Sequence, residues 1–117
     1  MSNGNARSPL LALGPPKFCG EMPNQNGVAL RMAALDPLTK HVTGGLFTVE
    51  PGATSRPDTH AVTEVWMVAR GQGRLSYAGQ TLEVSQGDML FYEPHHTHQI
   101  HNYGSEDLVI YTLWWNA

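Results

Sequence analysis

The residues best suited to chemistry in this sequence are histidines and carboxylates that lie close together along the chain. Four of the six histidines fall within one seven-residue segment: His95, His96, His98 and His101. Upstream, Asp58 and His60 lie two positions apart, and Glu64 follows. Residues two apart in a strand project to the same face, so Asp58 and His60 can face one interior. Imidazole and carboxylate groups are suitable ligands for Zn, Fe, Mn or Ni, which indicates a metal site. A polar surface loop is the alternative.

The spacing around these residues resembles the first conserved motif of the cupin superfamily. Gly52 is followed by five residues, then by Asp58-Thr59-His60, by three further residues and by Glu64. Six more residues lead to Gly71, as in that motif. The motif usually begins its ligand set with a histidine, whereas this sequence has Asp58 there.

The second cupin motif is matched further along the chain. Gly87 begins it, His98 follows eleven positions later, and Asn102 ends it. Glu93 and His95 stand where the motif has proline and glycine, which we expect to reshape the loop before His98. The resemblance implies an all-β double-stranded β-helix, that is, a jelly-roll barrel in a single domain.

The resemblance also implies one divalent metal ion, which is Zn, Fe(II), Mn or Ni. Its expected ligands are Asp58, His60, Glu64 and His98. Two carboxylates and two neutral imidazoles make such a site formally neutral, and therefore a weaker Lewis acid than the usual site with three histidines and one glutamate. Because Asp is shorter than His, Asp58 reaches the ion only if its backbone lies closer or a water intervenes. Alternatively, Asp58 hydrogen-bonds a loop, and the ion has three protein ligands or is absent.

The elements that must position these residues are short strands separated by the 12 glycines and 8 prolines of the chain. This rhythm is typical of a β-sandwich or barrel. The predicted strands cover residues 28–35, 44–50, 64–69, 74–77, 80–84, 89–92, 98–101 and 108–115. We expect residues 1–18 to form an extended arm and residues 19–117 to form the barrel domain.

Several further residues are candidates for the pocket. Tyr92, His96 and His101 are the predicted catalytic, proton-transferring residues, with solvated loop positions as the alternative for the histidines. Trp66 and Val68 share strand parity with Glu64 and are predicted to line the cavity, with a plain core position as the alternative for Trp66. Either Phe91 or Tyr92 should face inward. Arg31 and Arg56 are the nearby cations that could hold an anionic substrate, unless they are surface residues.

Composition narrows the class of protein. A net charge of −3 with scattered basic residues argues against nucleic-acid binding. The sequence shows no basic amphipathic helix of the kind that binds a membrane surface. The single Cys19 favours a reducing compartment and hence a cytoplasmic protein. Small cupins resemble one another in pairing through sheet faces and N-terminal strands, so we also expect a homodimer.

The resemblance implies a fold rather than a reaction. The expected function is a metal-dependent enzyme that binds a small organic molecule in the barrel, as an accessory enzyme of natural-product or sugar metabolism. Isomerisation, cyclisation, bond formation and oxygenation all remain open, as do the substrate and the metal. The alternatives are a non-catalytic binding or sensing module and a structural subunit of a larger enzyme.

Overall fold

The computed structural model describes residues 17–35 and 41–116, and every regular element in this part of the chain is a β-strand. The strands, in chain order, are β1 (Phe18–Gln25), β2 (Val28–Ala33), β3 (Thr43–Val49), β4 (Val62–Arg70), β5 (Gln72–Tyr77), β6 (Gln80–Ser85), β7 (Met89–Tyr92), β8 (His98–His101) and β9 (Leu108–Asn116). Nothing in this part of the chain forms a helix able to span a membrane.

The strands form two antiparallel sheets. The larger sheet has the order β1-β2-β3-β9-β4-β7, and the smaller has the order β6-β5-β8. The last strand, β9, lies between β3 and β4, inside the larger sheet. This arrangement confirms the predicted all-β jelly roll.

Residues 52–58, which we call the flanking segment, extend the smaller sheet beside β8 without forming a regular strand. Ser55 N donates to Ile100 O at 2.8 Å. Asp58 and His98 exchange both backbone hydrogen bonds, at 2.9 and 3.0 Å. The two bridges to β8, Thr54–His101 and Asp58–His98, differ in register by one residue, so the ladder between them is irregular. The flanking segment therefore places the first motif directly against the second.

The core lies between the sheets and draws on both. The larger sheet contributes Phe47, Val49, Trp66, Val68, Tyr92, Leu108 and Ile110, and the smaller contributes Leu75, Val84 and Ile100. Along β4 the side chains alternate: Glu64, Trp66 and Val68 are buried, whereas Met67 and Ala69 are exposed. Glu64 therefore occupies a core-facing position of a central strand.

All eight predicted strands are present as β2 to β9. Strand β2 ends at Ala33 instead of residue 35, and β5 begins at Gln72, only two residues after β4 ends. Strand β1 was not predicted. Its sequence contains Gly20 and Pro23 and has two register shifts against β2, so it lacks an alternating pattern. A missing amide hydrogen is tolerated there because β1 is an edge strand.

Most of the predicted N-terminal arm lies outside the described residues, which begin at Lys17. The carbonyl of Lys17 accepts a hydrogen bond from Ala34 N at 2.7 Å, and β1 begins at the next residue. The arm and its boundary with the barrel domain stay predictions.

Candidate metal centre

Glu64 is the most firmly held residue of the predicted ligand set. Its side chain is buried on β4. Trp66 Nε1 donates to its Oε2 at 3.0 Å, and the hydroxyl of Thr112 on β9 donates to the same oxygen. Because both donors are themselves buried, the carboxylate has one orientation, with Oε1 directed away from them. The support from Thr112 was not foreseen from the sequence.

Two imidazoles, those of His60 and His98, lie beside Glu64 Oε1. His60 Nε2 is 2.9 Å from Glu64 Oε1, and His98 Nε2 is 3.7 Å from it. The two imidazole rings meet edge to face with centroids 5.1 Å apart. Burial lowers the pKa of His98 below its ordinary value, against the opposing effect of the Glu64 charge. His98 is therefore neutral near pH 7, and its lone pair is available to a metal.

Asp58 reaches the same place because of its backbone. The pair of hydrogen bonds between Asp58 and His98 holds their backbones at the separation of directly opposed residues in a sheet. Opposed residues project to the same face, so the shorter Asp side chain lies next to the His98 ring. Ligand atoms of Asp58, His60 and His98 all lie within 4.8 Å of one another. Asp58 is thus placed with His60 and His98 in a group that could hold one ion, and its role as a ligand stays a prediction.

These donors fit a divalent metal ion. Asp58, His60 and His98 form a group that could hold one ion, and Glu64 lies beside this group, with its Oε1 hydrogen-bonded to His60 Nε2 at 2.9 Å. His60 Nδ1 is buried and has no hydrogen-bond partner among the described residues. Asp58 and Glu64 together balance the charge of a divalent ion. The set suits Zn, Fe(II), Mn and Ni alike, since each accepts mixed nitrogen and oxygen ligands.

Three of the four predicted ligands, Asp58, Glu64 and His98, line a small cavity with a volume of about 180 Å³, and His60 is not part of its lining. Its lining comprises Val28, Leu30, Phe47, Ser55, Arg56, Asp58, Glu64, Trp66, His98 and Thr112. The predicted position of Trp66 is therefore confirmed, whereas Val68 is buried in the core and is not part of the lining. A pocket with apolar walls and a few convergent polar groups is the usual form of a small-molecule site.

Tyr92 faces inward, as one of the two alternatives predicted, and Phe91 is exposed. The Tyr92 ring stacks on His98, with centroids 4.6 Å apart and planes at 26°. Its hydroxyl is buried and has no hydrogen-bond partner among the described residues. Burial, and then the charge of Glu64, raise the pKa of Tyr92 far above its ordinary value, so the phenol stays protonated. Tyr92 does not line the cavity, and its ring packs against the His98 ring.

The structure does not bring the other two predicted catalytic residues to the cavity. His101 lies on the opposite face of β8 from the buried His98 and Ile100, and its Nδ1 is 2.7 Å from Thr54 Oγ1. His96 is exposed, and its ring centroid is 5.5 Å from that of Tyr77. Neither histidine contacts Asp58, His60, Glu64 or His98 through its ring in the described structure.

The altered loop before His98 keeps the backbone that a glycine would supply. His95 has φ of 67°, in the left-handed region that L residues other than Asn, Asp and Gly seldom adopt. Its amide donates to His60 O at 2.8 Å, which ties the second-motif loop to the first motif. His95 therefore adopts the left-handed backbone conformation that a glycine at this position would favour.

Asn102, the last residue of the second motif, has a structural role. It is fully buried, its Nδ2 donates to Val49 O and Glu106 O at 2.8 Å each, and its Oδ1 accepts from Gly104 N at 2.8 Å. These bonds fix the end of β8 relative to β3 and to the turn before β9.

Of the two cations predicted near the pocket, one reaches it. Arg56 lines the cavity. Arg31 instead lies over the ring of Phe18, with its guanidinium carbon 3.7 Å from the ring centroid, and is not part of the lining.

Comparison with known proteins agrees with the fold described above. Residues 45–115 match the family model for the cupin domain. A cupin 2 conserved barrel domain protein from Salinispora arenicola is 22% identical, with a TM-score of 0.70, over 98% of this chain and 92% of that one. A predicted oxalate decarboxylase from Thermotoga maritima is 20% identical, with a TM-score of 0.69, over 87% of this chain and 92% of that one.

A third solved structure, a putative sugar phosphate isomerase from Acidithiobacillus ferrooxidans, is 25% identical with a TM-score of 0.62. The match covers 78% of this chain and 62% of that one. The family model spans well over half of the sequence, from β3 through both motifs to β9. The chain belongs to the cupin family.

Proposed function

We propose that this chain is a metal-dependent enzyme that acts on a small organic molecule, as an accessory enzyme of natural-product or sugar metabolism. The observation that carries the proposal is the convergence of Asp58, His60 and His98, whose ligand atoms lie within 4.8 Å of one another. When bound, a divalent ion (Zn, Fe(II), Mn or Ni) supplies Lewis acidity toward a carbonyl or hydroxyl oxygen.

The residues around the donors prepare the cavity for such a reaction. Phe47 and Trp66 pack edge to face, with centroids 4.8 Å apart, and form an apolar wall beside Glu64. This wall lowers the local dielectric constant and keeps water away from the reacting end of a substrate. A volume of about 180 Å³ accepts only the reacting end of most metabolites.

The described functions of two similar structures support an enzyme in this role. One is described as a predicted oxalate decarboxylase and another as a putative sugar phosphate isomerase. Both descriptions concern small polar molecules, but they differ in reaction type. They support the class of enzyme and leave the reaction open.

Metal content is the direct test. Protein supplied with Zn, Fe(II) or Mn and then desalted should retain close to one ion per chain, as measured by elemental mass spectrometry. His98→Gln should lose most of the bound metal because it removes a buried ligand. His96→Gln is the matched control, since His96 is exposed in the same loop, and it should retain the ion. Absence of metal from the wild-type protein under all three conditions would contradict the proposal.

A binding or sensing module without turnover is the second candidate. It is favoured by the positions of Tyr92, His96 and His101, none of which lines the cavity. Oxygen consumption by the Fe(II)-loaded protein with candidate substrates separates an oxygenase from a redox-neutral enzyme. Saturable binding without conversion of any bound compound would favour the module.

A homodimer and a cytoplasmic location complete the proposal. Met89 and Phe91, which are 68% and 60% exposed on β7, provide an apolar face that a second copy can cover. The location is supported by Cys19, which is exposed and forms no disulfide.

A further inference from the structure

Two concave regions meet at the flanking segment. The inner one is the cavity already described. The outer one, with a volume of about 290 Å³, lies between the β1–β2 hairpin and the flanking segment. Both are lined by the same four residues: Val28, Leu30, Arg56 and Asp58. Each is smaller than the roughly 300–1,000 Å³ of typical small-molecule sites, but together they fall within that range.

Arg56 lies at the junction of the two regions and, within the described part of the chain, is the only lysine or arginine that lines either of them. It is two residues from Asp58 along the flanking segment, and residues two apart in an extended chain share a face. Among the described residues, no carboxylate forms a salt bridge with it. The guanidinium is therefore available to a ligand, unlike that of Arg31 over Phe18 or that of Arg74, which pairs with Glu83.

The charges around the junction favour an anion at Arg56. The metal centre is formally neutral, because Asp58 and Glu64 balance a divalent ion. Arg56 is then the one uncompensated charge along the joined lining. A guanidinium binds a carboxylate through two parallel hydrogen bonds, which fixes its orientation as well as its position.

The outer region supplies an apolar surface beside this charge. Met22, Val28 and Leu30 of the β1–β2 hairpin line it, and Met22 is 56% exposed. The hairpin is held in place, because Asn24 Nδ2 donates to Glu50 at 3.0 Å and Glu50 N donates to Gly27 O at 2.8 Å. This apolar surface is therefore preformed beside the guanidinium.

We propose that the substrate or ligand is a small organic carboxylate that spans both regions. Arg56 binds its carboxylate, the outer region binds its apolar chain, and an oxygen near the carboxylate enters the inner cavity. The inference rests on the proposed function for the role of the inner cavity and for the charge balance around it, whereas the guanidinium of Arg56 lines both regions with or without an ion.

Binding of 2-hydroxyhexanoate and of its neutral amide, 2-hydroxyhexanamide, tests the proposal. Titration is followed through the indole Nε1–H resonance of Trp66, which lines the inner cavity. We expect the acid to bind about two- to fivefold more tightly than the amide, as for a partly exposed ion pair. Arg56→Gln should weaken binding of the acid by the same factor and abolish the preference. Arg70→Gln, which removes an exposed charge at the end of β4, should leave both affinities unchanged.

Each titration is carried out on zinc-loaded and on chelator-treated protein, with thermal unfolding as the check on folding. Equal affinities for acid and amide, an unaltered preference in Arg56→Gln, or no binding of the acid at millimolar concentration would overturn the inference. So would a preference that disappears with the metal and is independent of Arg56, since the carboxylate would then lie on the ion. A preference that depends on Arg56 in a protein that retains no metal would support the inference and refute the proposed function.

Discussion

The two sides of the metal centre are built in different ways. On the side of the larger sheet, Glu64 is buried and oriented by hydrogen bonds from Trp66 and Thr112. On the side of the flanking segment, Asp58 and Arg56 are exposed, and Asp58 is positioned by backbone hydrogen bonds to His98. The first arrangement links ligand geometry to the packing of the core, whereas the second depends on backbone pairing alone.

This difference bears on one departure from the cupin pattern, the aspartate at residue 58. A change of ligand type at residue 58 leaves the core untouched, because its side chain makes no core contact that a histidine or an aspartate must preserve. A change at Glu64 would leave the buried donors of Trp66 and Thr112 without an acceptor, at a cost of about 1–3 kcal/mol for each unsatisfied group. Substitutions on the two sides should therefore separate stability from metal binding.

Trp66→Phe, on the side of the larger sheet, should cause the largest loss of stability. The Trp66 ring packs against Phe47 and Tyr92 with centroid distances of 4.8 and 4.7 Å, and its indole donates to Glu64. We expect a loss of about 2–3 kcal/mol in the free energy of unfolding, from lost packing and a lost hydrogen bond. Urea denaturation of the metal-free protein measures it. Trp115→Phe, at a half-buried position on the outward face of β9, is the control. Equal losses in the two variants would mean that Trp66 has no special role.

Thr112→Val should have an intermediate effect. It keeps the shape of the side chain but removes one donor to Glu64 Oε2, and we expect a loss of about 1 kcal/mol in stability. Metal affinity should fall by about 10- to 100-fold, as for other residues that orient a ligand. Competition with a chromophoric chelator measures the affinity. Thr48→Val, on the outward face of β3, should not change it. Unaltered affinity in Thr112→Val would show that Trp66 alone orients the carboxylate.

Asp58→Ala should have the smallest effect on stability and a clear effect on the metal. Because Asp58 is exposed, the free energy of unfolding of the metal-free protein should stay within about 0.5 kcal/mol of the wild-type value. Metal affinity should fall by about tenfold or more through loss of one ligand. Asp58→His, which restores the usual donor, should recover binding in the same chelator competition. Full affinity in Asp58→Ala would remove Asp58 from the ligand set.

Much of the fold was predictable because glycines and prolines mark the turns and both cupin motifs keep their spacing. The resemblance to these motifs also predicted Asp58, His60, Glu64 and His98 as one site, and the structure brings Asp58, His60 and His98 together with Glu64 hydrogen-bonded to His60. Strand β1 could not be predicted from periodicity, because its pairing with β2 is interrupted by register shifts. Among the described strands its one neighbour is β2, so little packing constrains its pattern.

The hydrogen bond from Thr112 to Glu64 could not be predicted from the sequence for a different reason. Thr112 lies 48 residues from Glu64 along the chain, and only the register between β4 and β9 brings the two together. A polar residue within the apolar run of β9 was the available signal. For His101 the signal was clearer: it lies three residues from His98, and strand residues an odd number apart face opposite sides. The parity that predicted Asp58 and His60 thus also argues against His101.

The pairing of distant segments has a kinetic consequence. The flanking segment bonds to β8 across 45 residues, and Glu64 meets Thr112 across 48. Only the pair of His60 and Glu64 is local, four residues apart. Contacts so far apart in the chain form slowly, since loop closure must precede them. We therefore expect the predicted ligand set to be complete only when the barrel itself has formed. An ion held by this set would bind the unfolded chain weakly, and its binding free energy would add to the stability of the native barrel.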